Sequence, residues 1–156
     1  MAVYNKRKQV KQEQNPTEEK RVGQDENPDQ YYSLNPSWNF KSCDTECWSL
    51  TDDIVKPYFW DEILPRLQGF ESQKWSEILI KSKKKNHPIY VNKLNKVACN
   101  RLEKLMIECN SIISLSLNGT HRLYGYMSRS VFNLLWVDLD HGDNETCVCR
   151  SKKKNT

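Results

Sequence analysis

The strongest constraint on the fold lies between residues 113 and 138, where the sequence predicts consecutive strands. Residues 113–117 alternate strictly between apolar and serine side chains, which is the pattern of a strand with one buried face. Asn118-Gly119 is a strong short signal for a β-hairpin, and residues 122–126 resume as a strand. Residues 131–138 are apolar at almost every position, as in a strand that is covered on both sides or central in a sheet. The chain is therefore expected to contain an antiparallel β-meander, with a further short strand at residues 147–149.

The length of the hairpin loop decides which side chains share a face of this sheet. A three-residue loop at residues 118–120 pairs Leu115 with Leu123 and Ser116 with Arg122, whereas a two-residue loop would mix core and solvent positions. We therefore favour the three-residue loop, in which the leucines pack against a helix. The opposite face is then predicted to be an accessible surface formed by Arg122, Tyr124 and Tyr126.

Apolar residues at helical spacing predict helices before the meander. The clearest stripe indicates an amphipathic helix over residues 91–109. A helix is also expected at about residues 56–68, where Pro65 would strain or break it, and a short one over residues 70–79. This order predicts an α+β fold, with N-terminal helices packed on a small antiparallel β-meander.

The composition fits one small domain with charged appendages. The chain has 156 residues, 37% hydrophobic and 28% charged, which is enough for one modest core. Residues 1–30 are predicted to be a disordered charged arm, residues 31–150 a single domain, and residues 151–156 a basic tail. The apolar stretches are shorter than the roughly 20 residues of a membrane-spanning helix. Because the N-terminus also lacks a secretory signal pattern, a cytoplasmic location is expected.

Charge is strongly segregated along the chain, although the formal net charge is only +4. Residues 81–101 contain seven Lys and Arg residues and no acidic residue, and four more basic residues lie among the last seven. Such blocks attract phosphate backbones or acidic partners through salt-sensitive electrostatics. A lysine run is equally common as plain solvated surface, so the pattern alone leaves both interpretations open.

A family resemblance covers roughly residues 91–150. The helix with its basic flank, the strand carrying Arg122-Leu123-Tyr124, the apolar strand of residues 131–138 and the following His141 resemble the C-terminal half of RelE-, ParE- and HigB-like toxins. The whole chain is also similar to a branch of bacterial proteins with a Trp-rich N-terminal part, a branch that brings no activity with it. The RelE resemblance implies the toxin of a toxin–antitoxin module, namely a metal-independent endoribonuclease without cofactors. Its implied partners are RNA, with ribosome-bound mRNA as a candidate, and a cognate antitoxin protein.

The resemblance also implies the roles of individual residues. Cleavage of RNA through its 2′-hydroxyl needs a proton acceptor, a proton donor and cations around the developing charge. Arg122 would contact the scissile phosphate, and His141 would donate a proton because neighbouring Asp138, Asp140 and Asp143 keep it protonated. The residues expected to bind RNA are Lys93, Lys96, Arg101, Tyr124, Tyr126, Lys152, Lys153 and Lys154. The alternative is a non-enzymatic adaptor that uses the same basic face to bind nucleic acid or a protein.

The six cysteines are expected to be mostly reduced thiols in a cytosolic chain. Cys99 and Cys109 fit small core positions on the helix stripe. A four-thiolate zinc site could be formed by Cys43, Cys47, Cys147 and Cys149. The C-x-C spacing disfavours that site, and His141 is a further candidate ligand without a recognised pattern, so no metal ligand is assigned. The common nucleotide, protease and hydrolase motifs are missing from the sequence.

Overall fold

The computed structural model describes residues 21–22, 27–142 and 146–149, which have a mixed α+β architecture. The strands are β1 (Arg21–Val22), β2 (Ser37–Asn39), β3 (His87–Tyr90), β4 (Ile107–Glu108), β5 (Ser111–Ser116), β6 (Arg122–Ser128) and β7 (Val131–Asp138). The α-helices are α1 (Lys56–Tyr58), α2 (Leu64–Glu71) and α3 (Lys96–Lys104). Shorter helical turns are the π-helical segments Phe59–Ile63 and Glu77–Lys81 and the 3₁₀ segments Pro28–Gln30 and Val91–Lys93.

Five strands form one mixed sheet in the order β2-β7-β6-β5-β3. The pair β2-β7 is parallel and the other neighbours are antiparallel. The predicted meander is confirmed as β5, β6 and β7, whereas the parallel strand β2 was not predicted. A separate parallel pair joins β1 to β4, so two residues of the arm that the sequence predicts to be disordered belong to the fold.

The predicted hairpin register is confirmed. Ser116 lies opposite Arg122 and Leu115 lies opposite Leu123, and the Leu117 amide donates to the His121 carbonyl across a three-residue loop. The expected surface is wrong, however, because both faces of the sheet are covered. The leucine face packs on the N-terminal helices through residues such as Ile63, while α3 packs on the other face.

The covering of the second face follows from the side chains that it presents. Tyr124, Tyr126 and Trp136 bury their rings there against Leu94 and Ala98 of the α3 region. Burying these large aromatic surfaces lowers the free energy of the folded chain, so the apolar stripe of the helix packs on them. The long apolar run of β7 is explained in the same way, because the strand lies between two neighbours and two layers.

The N-terminal helical segment runs from residue 56 to 71 and passes through Pro65 without a break. Pro65 falls in the first turn of α2, directly after the π-helical turn, where a missing amide hydrogen costs little. The expectation that Pro65 breaks the helix is therefore wrong, and the π-helical turn before it is the local departure from α-helical geometry. The predicted stripe at Trp75, Ile78 and Leu79 is buried, as expected of the next helical turn.

The helix predicted over residues 91–109 is shorter in the structure. Asn95 caps the start of α3, with its side chain accepting the Val97 amide hydrogen at 2.8 Å. Met106 has a φ of 58°, a left-handed conformation that ends the helix. Leu94 instead forms an isolated antiparallel bridge to Cys149. The short strand predicted at residues 147–149 is therefore reduced to this bridge.

Some predicted residues lie outside the part of the chain that the structure describes. They are Asp143, Lys152, Lys153, Lys154 and most of the N-terminal arm. None of the helices among the described residues is both long enough and apolar enough to cross a membrane.

Candidate functional site: a polar cluster at one end of the sheet

A group of polar side chains lies on the α3 face of the sheet, at the end where β6 begins and β7 finishes. Arg122 and Asp138 are register partners at this end, and Tyr124 lies on the same face two residues further along β6. The chain segments after β7 add a histidine and two cysteines. We refer to the following residues as the polar cluster: Arg122, Tyr124, Asp138, His141, Cys147 and Cys149.

Asp138 fixes the position of the segments that follow β7. Its carboxylate is buried, with one oxygen accepting the Asp140 amide hydrogen and the other accepting that of Val148, both at 2.8 Å. The His141 amide donates to the Thr120 carbonyl at 3.0 Å, which ties this segment to the hairpin loop. Asp138 is therefore a positioning residue, because it holds the ends of the His- and Cys-bearing segments together.

The hydroxyl of Tyr124 is the hydrogen-bonding centre of the polar cluster. It lies 3.1 Å from His141 Nδ1 and 3.1 Å from Cys149 Sγ. Burial, followed by the negative charge of Cys149, raises the pKa of Tyr124 well above its usual range. The hydroxyl thus stays protonated and joins the histidine to the cysteine.

The two thiols of the polar cluster differ in their protonation. The hydrogen bond from Cys147 is the largest effect on Cys149 and lowers its pKa to about 7, with further help from Tyr124. The same bond and burial raise the pKa of Cys147, although its sulfur also accepts the Gly142 amide hydrogen at 3.2 Å. Cys149 is therefore the more acidic thiol of the pair.

His141 is half-buried and its pKa is lowered. Burial is the main cause, and the nearby positive charges of Arg122 and His87 act in the same direction, against the opposing effect of Asp138. The expectation that the acidic neighbours keep His141 protonated is therefore wrong. A neutral imidazole carries one lone pair, so His141 is suited to accept a proton or to bind a metal, rather than to act as an acid.

Arg122 is half-buried beside the cluster. Its Nη1 donates to the carbonyls of Gly119 and His121 at 2.7 and 2.8 Å, which fixes the guanidinium against the hairpin loop. The guanidinium is close enough to act electrostatically on both His141 and Cys149. The structure thus brings together the two residues predicted to be catalytic.

Lys93 and Lys96 are exposed, and they enclose in sequence the two residues that contact the thiol-bearing segment. Between them, Leu94 bridges to Cys149 and the Asn95 amide donates to the Val148 carbonyl at 2.8 Å. The backbone of both lysines therefore lies close to the segment that carries the two thiols.

Three residues predicted to bind RNA are placed differently. Arg101 is only 8% exposed and forms a two-pronged ion pair with the buried carboxylate of Asp44, at 2.8 Å for each prong. Tyr124 and Tyr126 are 0% and 4% exposed, so neither ring offers a face on which a base could stack. The assignment of all three residues to an RNA-binding surface is wrong. Arg101 is paired with a buried carboxylate, and the two tyrosine rings are buried under the apolar side chains that cover this face of the sheet.

The four-cysteine zinc site is not assembled either. Cys43 packs against the core on the leucine face of the sheet, where burial raises its thiol pKa to about 11, whereas Cys149 packs on the α3 face. Cys99 and Cys109 are half-buried beside the second core, which agrees with their predicted packing role. Among the described residues, the cluster with metal-binding geometry is instead His141, Cys147 and Cys149, whose ligand atoms all lie within 4.8 Å of one another.

Sequence reasoning missed one contributor to this site, His87, and gave another, Asp138, only the role of keeping His141 protonated. His87 lies in a cross-strand row with Ser114 and Tyr124, which brings it near His141, but its position depends on the pairing of β3 with β5. Asp138 is the charged residue that closes an otherwise apolar strand. A buried position for such a carboxylate is a signal that it binds something, here two backbone amides.

Comparison with protein-family models, with curated proteins and with solved structures finds no match to this chain.

Proposed function

We propose that this protein binds RNA at the polar cluster and cleaves it without a metal, as the RelE-like toxin of a toxin–antitoxin module. The observation that supports this proposal is the meeting of Arg122 and His141 beside a basic surface, although separate parts of the chain supply them. An arginine and a neutral histidine at one site are the groups that phosphodiester cleavage through a 2′-hydroxyl requires.

The arrangement of secondary structure gives further support to the RelE-like part of the proposal. An amphipathic helix, α3, precedes a three-stranded antiparallel meander, and Arg122 lies on the middle strand. Two features are additions to the expected pattern: both faces of the sheet are covered, and the parallel strand β2 extends it.

The chemistry follows from the hydrogen bonds of His141. When Tyr124 donates to Cys149 and accepts the proton on Nδ1 of His141, the lone pair of the imidazole is on Nε2. Nε2 takes the proton of the ribose 2′-hydroxyl, and the 2′-oxygen attacks phosphorus. The bond from phosphorus to the 5′-oxygen breaks, and the leaving oxygen takes a proton from water. The hydroxide that remains takes back the proton held by His141, which returns the imidazole to its neutral form. Arg122 stabilises the additional negative charge on the phosphate oxygens during this step.

Exposed lysines lie in two chain segments whose neighbouring residues contact the strands or the segments of the polar cluster. Lys93 and Lys96 flank the thiol segment, while Lys83, Lys84 and Lys85 form an exposed turn just before β3. That turn is anchored by buried Asn86, whose side-chain oxygen accepts the amide hydrogen of Ser116, the register partner of Arg122. Lysines on both sides of Arg122 would hold an RNA backbone across the polar cluster, and an acidic antitoxin segment would compete for the same surface.

The experiment uses the purified full chain and a labelled RNA, with three variants. Arg122→Ala is expected to lower kcat/KM about 100-fold or more, since it removes charge stabilisation in the transition state. Lys96→Ala should mainly raise KM, whereas Lys104→Ala is the control, because Lys104 is exposed at the far end of the same helix. Cleavage by Arg122→Ala at the wild-type rate would reject the catalytic assignment, as would equal growth inhibition when the two proteins are expressed.

A non-enzymatic adaptor is the second candidate. It is favoured by the two carbonyl contacts of Arg122, which are the contacts expected of an arginine that only stabilises the hairpin loop. Salt-sensitive RNA binding by the wild-type protein without any RNA fragments would establish the adaptor and exclude the nuclease.

A further inference from the structure

His141, Cys147 and Cys149 together have the donor atoms and the proximity of a metal site. We propose that they bind one Zn²⁺ ion, with a fourth coordination position left for water or another small ligand. The ligand atoms of the three residues lie within 4.8 Å of one another. A tetrahedral zinc site with bonds of about 2.0–2.3 Å needs only small shifts to draw such atoms together.

The choice of metal follows from the donors. Two thiolates and an imidazole are soft to intermediate ligands, which select zinc over the oxygen-preferring Mg²⁺ and Ca²⁺. Three protein ligands with one open position are typical of zinc sites that exchange a ligand, whereas purely structural sites have four.

The surroundings already supply the outer hydrogen bonds that metal ligands require. The Gly142 amide donates to Cys147 Sγ at 3.2 Å, and the Tyr124 hydroxyl is 3.1 Å from both the His141 ring and Cys149 Sγ. Such contacts orient ligands and offset the negative charge on sulfur. Asp138 contributes indirectly, since its two backbone contacts fix the segments on which the ligands lie.

The binding test uses reduced, tag-free full chain titrated with Zn²⁺ and, separately, with Co²⁺ as a spectroscopic substitute. We expect about one ion per chain and the visible absorption of tetrahedral, thiolate-bound cobalt. Cys147→Ser and Cys149→Ser should each lose that absorption. Cys43→Ser is the matched control, because Cys43 is a half-buried thiol on the opposite face of the sheet and its removal should leave the spectrum unchanged.

Tyr124→Phe gives a test that does not remove a ligand. Loss of the outer hydrogen bond should weaken zinc binding about 10-fold while the stoichiometry is retained. Less than one-tenth of an ion per chain for the reduced wild type would overturn the proposal. Cobalt spectra that are the same for wild type and Cys149→Ser, or a disulfide between Cys147 and Cys149 that resists mild reductant, would overturn it as well.

The zinc site has a consequence for RNA cleavage that rests on the proposed function. A neutral imidazole has a single lone pair, so a His141 that binds zinc cannot also take the proton of a 2′-hydroxyl. Zinc is therefore expected to inhibit cleavage, and a chelator should restore it. Cys147→Ser, compared with its own zinc-free rate, should be inhibited less by zinc than the wild type is. If no cleavage is seen with or without zinc, the proposed function fails while the cobalt spectrum still decides the zinc site.

Discussion

Replacing Arg101 or Asp44 is expected to destabilise the fold severely, because the two charges form a buried pair. Asp44 is 0% exposed, and its Oδ1 and Oδ2 accept Arg101 Nη2 and Nε, both at 2.8 Å. Oδ2 also accepts the indole hydrogen of Trp136 at 3.0 Å, and Oδ1 accepts the amide hydrogens of Glu46 and Cys47. The pair thus joins α3, β7 and the irregular segment after β2.

The magnitude follows from what each substitution leaves buried. Arg101→Met keeps the length of the side chain but leaves an uncompensated carboxylate, which costs about 3–5 kcal/mol. Asp44→Asn keeps one acceptor oxygen but turns an amide nitrogen towards donors on Arg101 and Trp136, so its cost is expected to be at least as large. In the double variant neither charge is left unpaired, and the loss should be smaller than the sum of the single losses by about 2 kcal/mol.

Urea unfolding followed by tryptophan fluorescence measures these free energies. Glu46→Gln is the control, because the Glu46 side chain is 71% exposed and its contact with Arg101, at 3.2 Å, should be worth less than about 1 kcal/mol. Single losses below about 1 kcal/mol for Asp44→Asn and Arg101→Met, or strictly additive losses in the double variant, would refute the reasoning.

The same pair predicts a dependence of stability on pH. Burial opposes the charged form of Asp44, but its hydrogen bonds, above all those from Arg101, win and lower its pKa below the ordinary value of 3.8. Below that pH the unfolded chain binds a proton that the folded chain does not, so stability is complete above about pH 4 and falls as the pH drops towards the folded-state value. Asp44→Asn should remove this part of the acid dependence.

Two further pairs of substitutions test the packing of the sheet and the hydrogen bonds of the hairpin loop. Gly125→Ala would place a methyl group against the backbone carbonyl of Asn133 and 2.6 Å from the Phe132 ring, and it should cost about 1–3 kcal/mol. Gly69→Ala, with no atom within 4 Å, should stabilise α2 by up to about 1 kcal/mol. Thermal unfolding of both variants checks this, and equal midpoints would contradict it. Glu62→Gln should cost about 1–2 kcal/mol in urea unfolding, because Glu62 accepts hydrogen bonds from the His121 ring and from the Asn118 amide of the hairpin loop. Asp61→Asn, at the exposed neighbouring position, should be neutral. Equal losses for the two variants would show that these contacts contribute nothing to the stability.

The meander could be predicted because its signals are local. Alternation in residues 113–117, the Asn118-Gly119 turn and the two-residue period of side chains together fixed the register of Arg122. The covering of each face was predicted wrongly, since local alternation says which side chains share a face but not which layer packs on it. Tyr124 shows the difficulty, because an aromatic ring that ends in a hydroxyl suits either an exposed or a buried face.

The predicted length of the helix at residues 91–109 was wrong for a related reason. The apolar stripe of residues 91–109 includes Leu94, and the predicted helix also spans Ile107, yet both residues belong to extended backbone in the structure. Their pairing partners, Cys149 and Arg21, are remote in sequence. Burial against such partners satisfies the same apolar spacing as a helix would, so periodicity alone could not separate the two outcomes.

The polar cluster depends both on local sequence signals and on contacts between segments that are remote in sequence. Only the residues placed by local signals could be predicted from the sequence. Arg122 follows from the register, whereas His141, Cys147 and Cys149 lie in segments without regular structure, positioned by Asp138 and by the Leu94 bridge. A histidine and two thiols in irregular segments can meet in space only where buried backbone partners hold those segments in place. Asp138 is the one carboxylate of the cluster, and it uses both oxygens on amides rather than on Arg122 or His141. That division leaves the guanidinium available to an anion and the imidazole lone pair available to a proton or a metal ion.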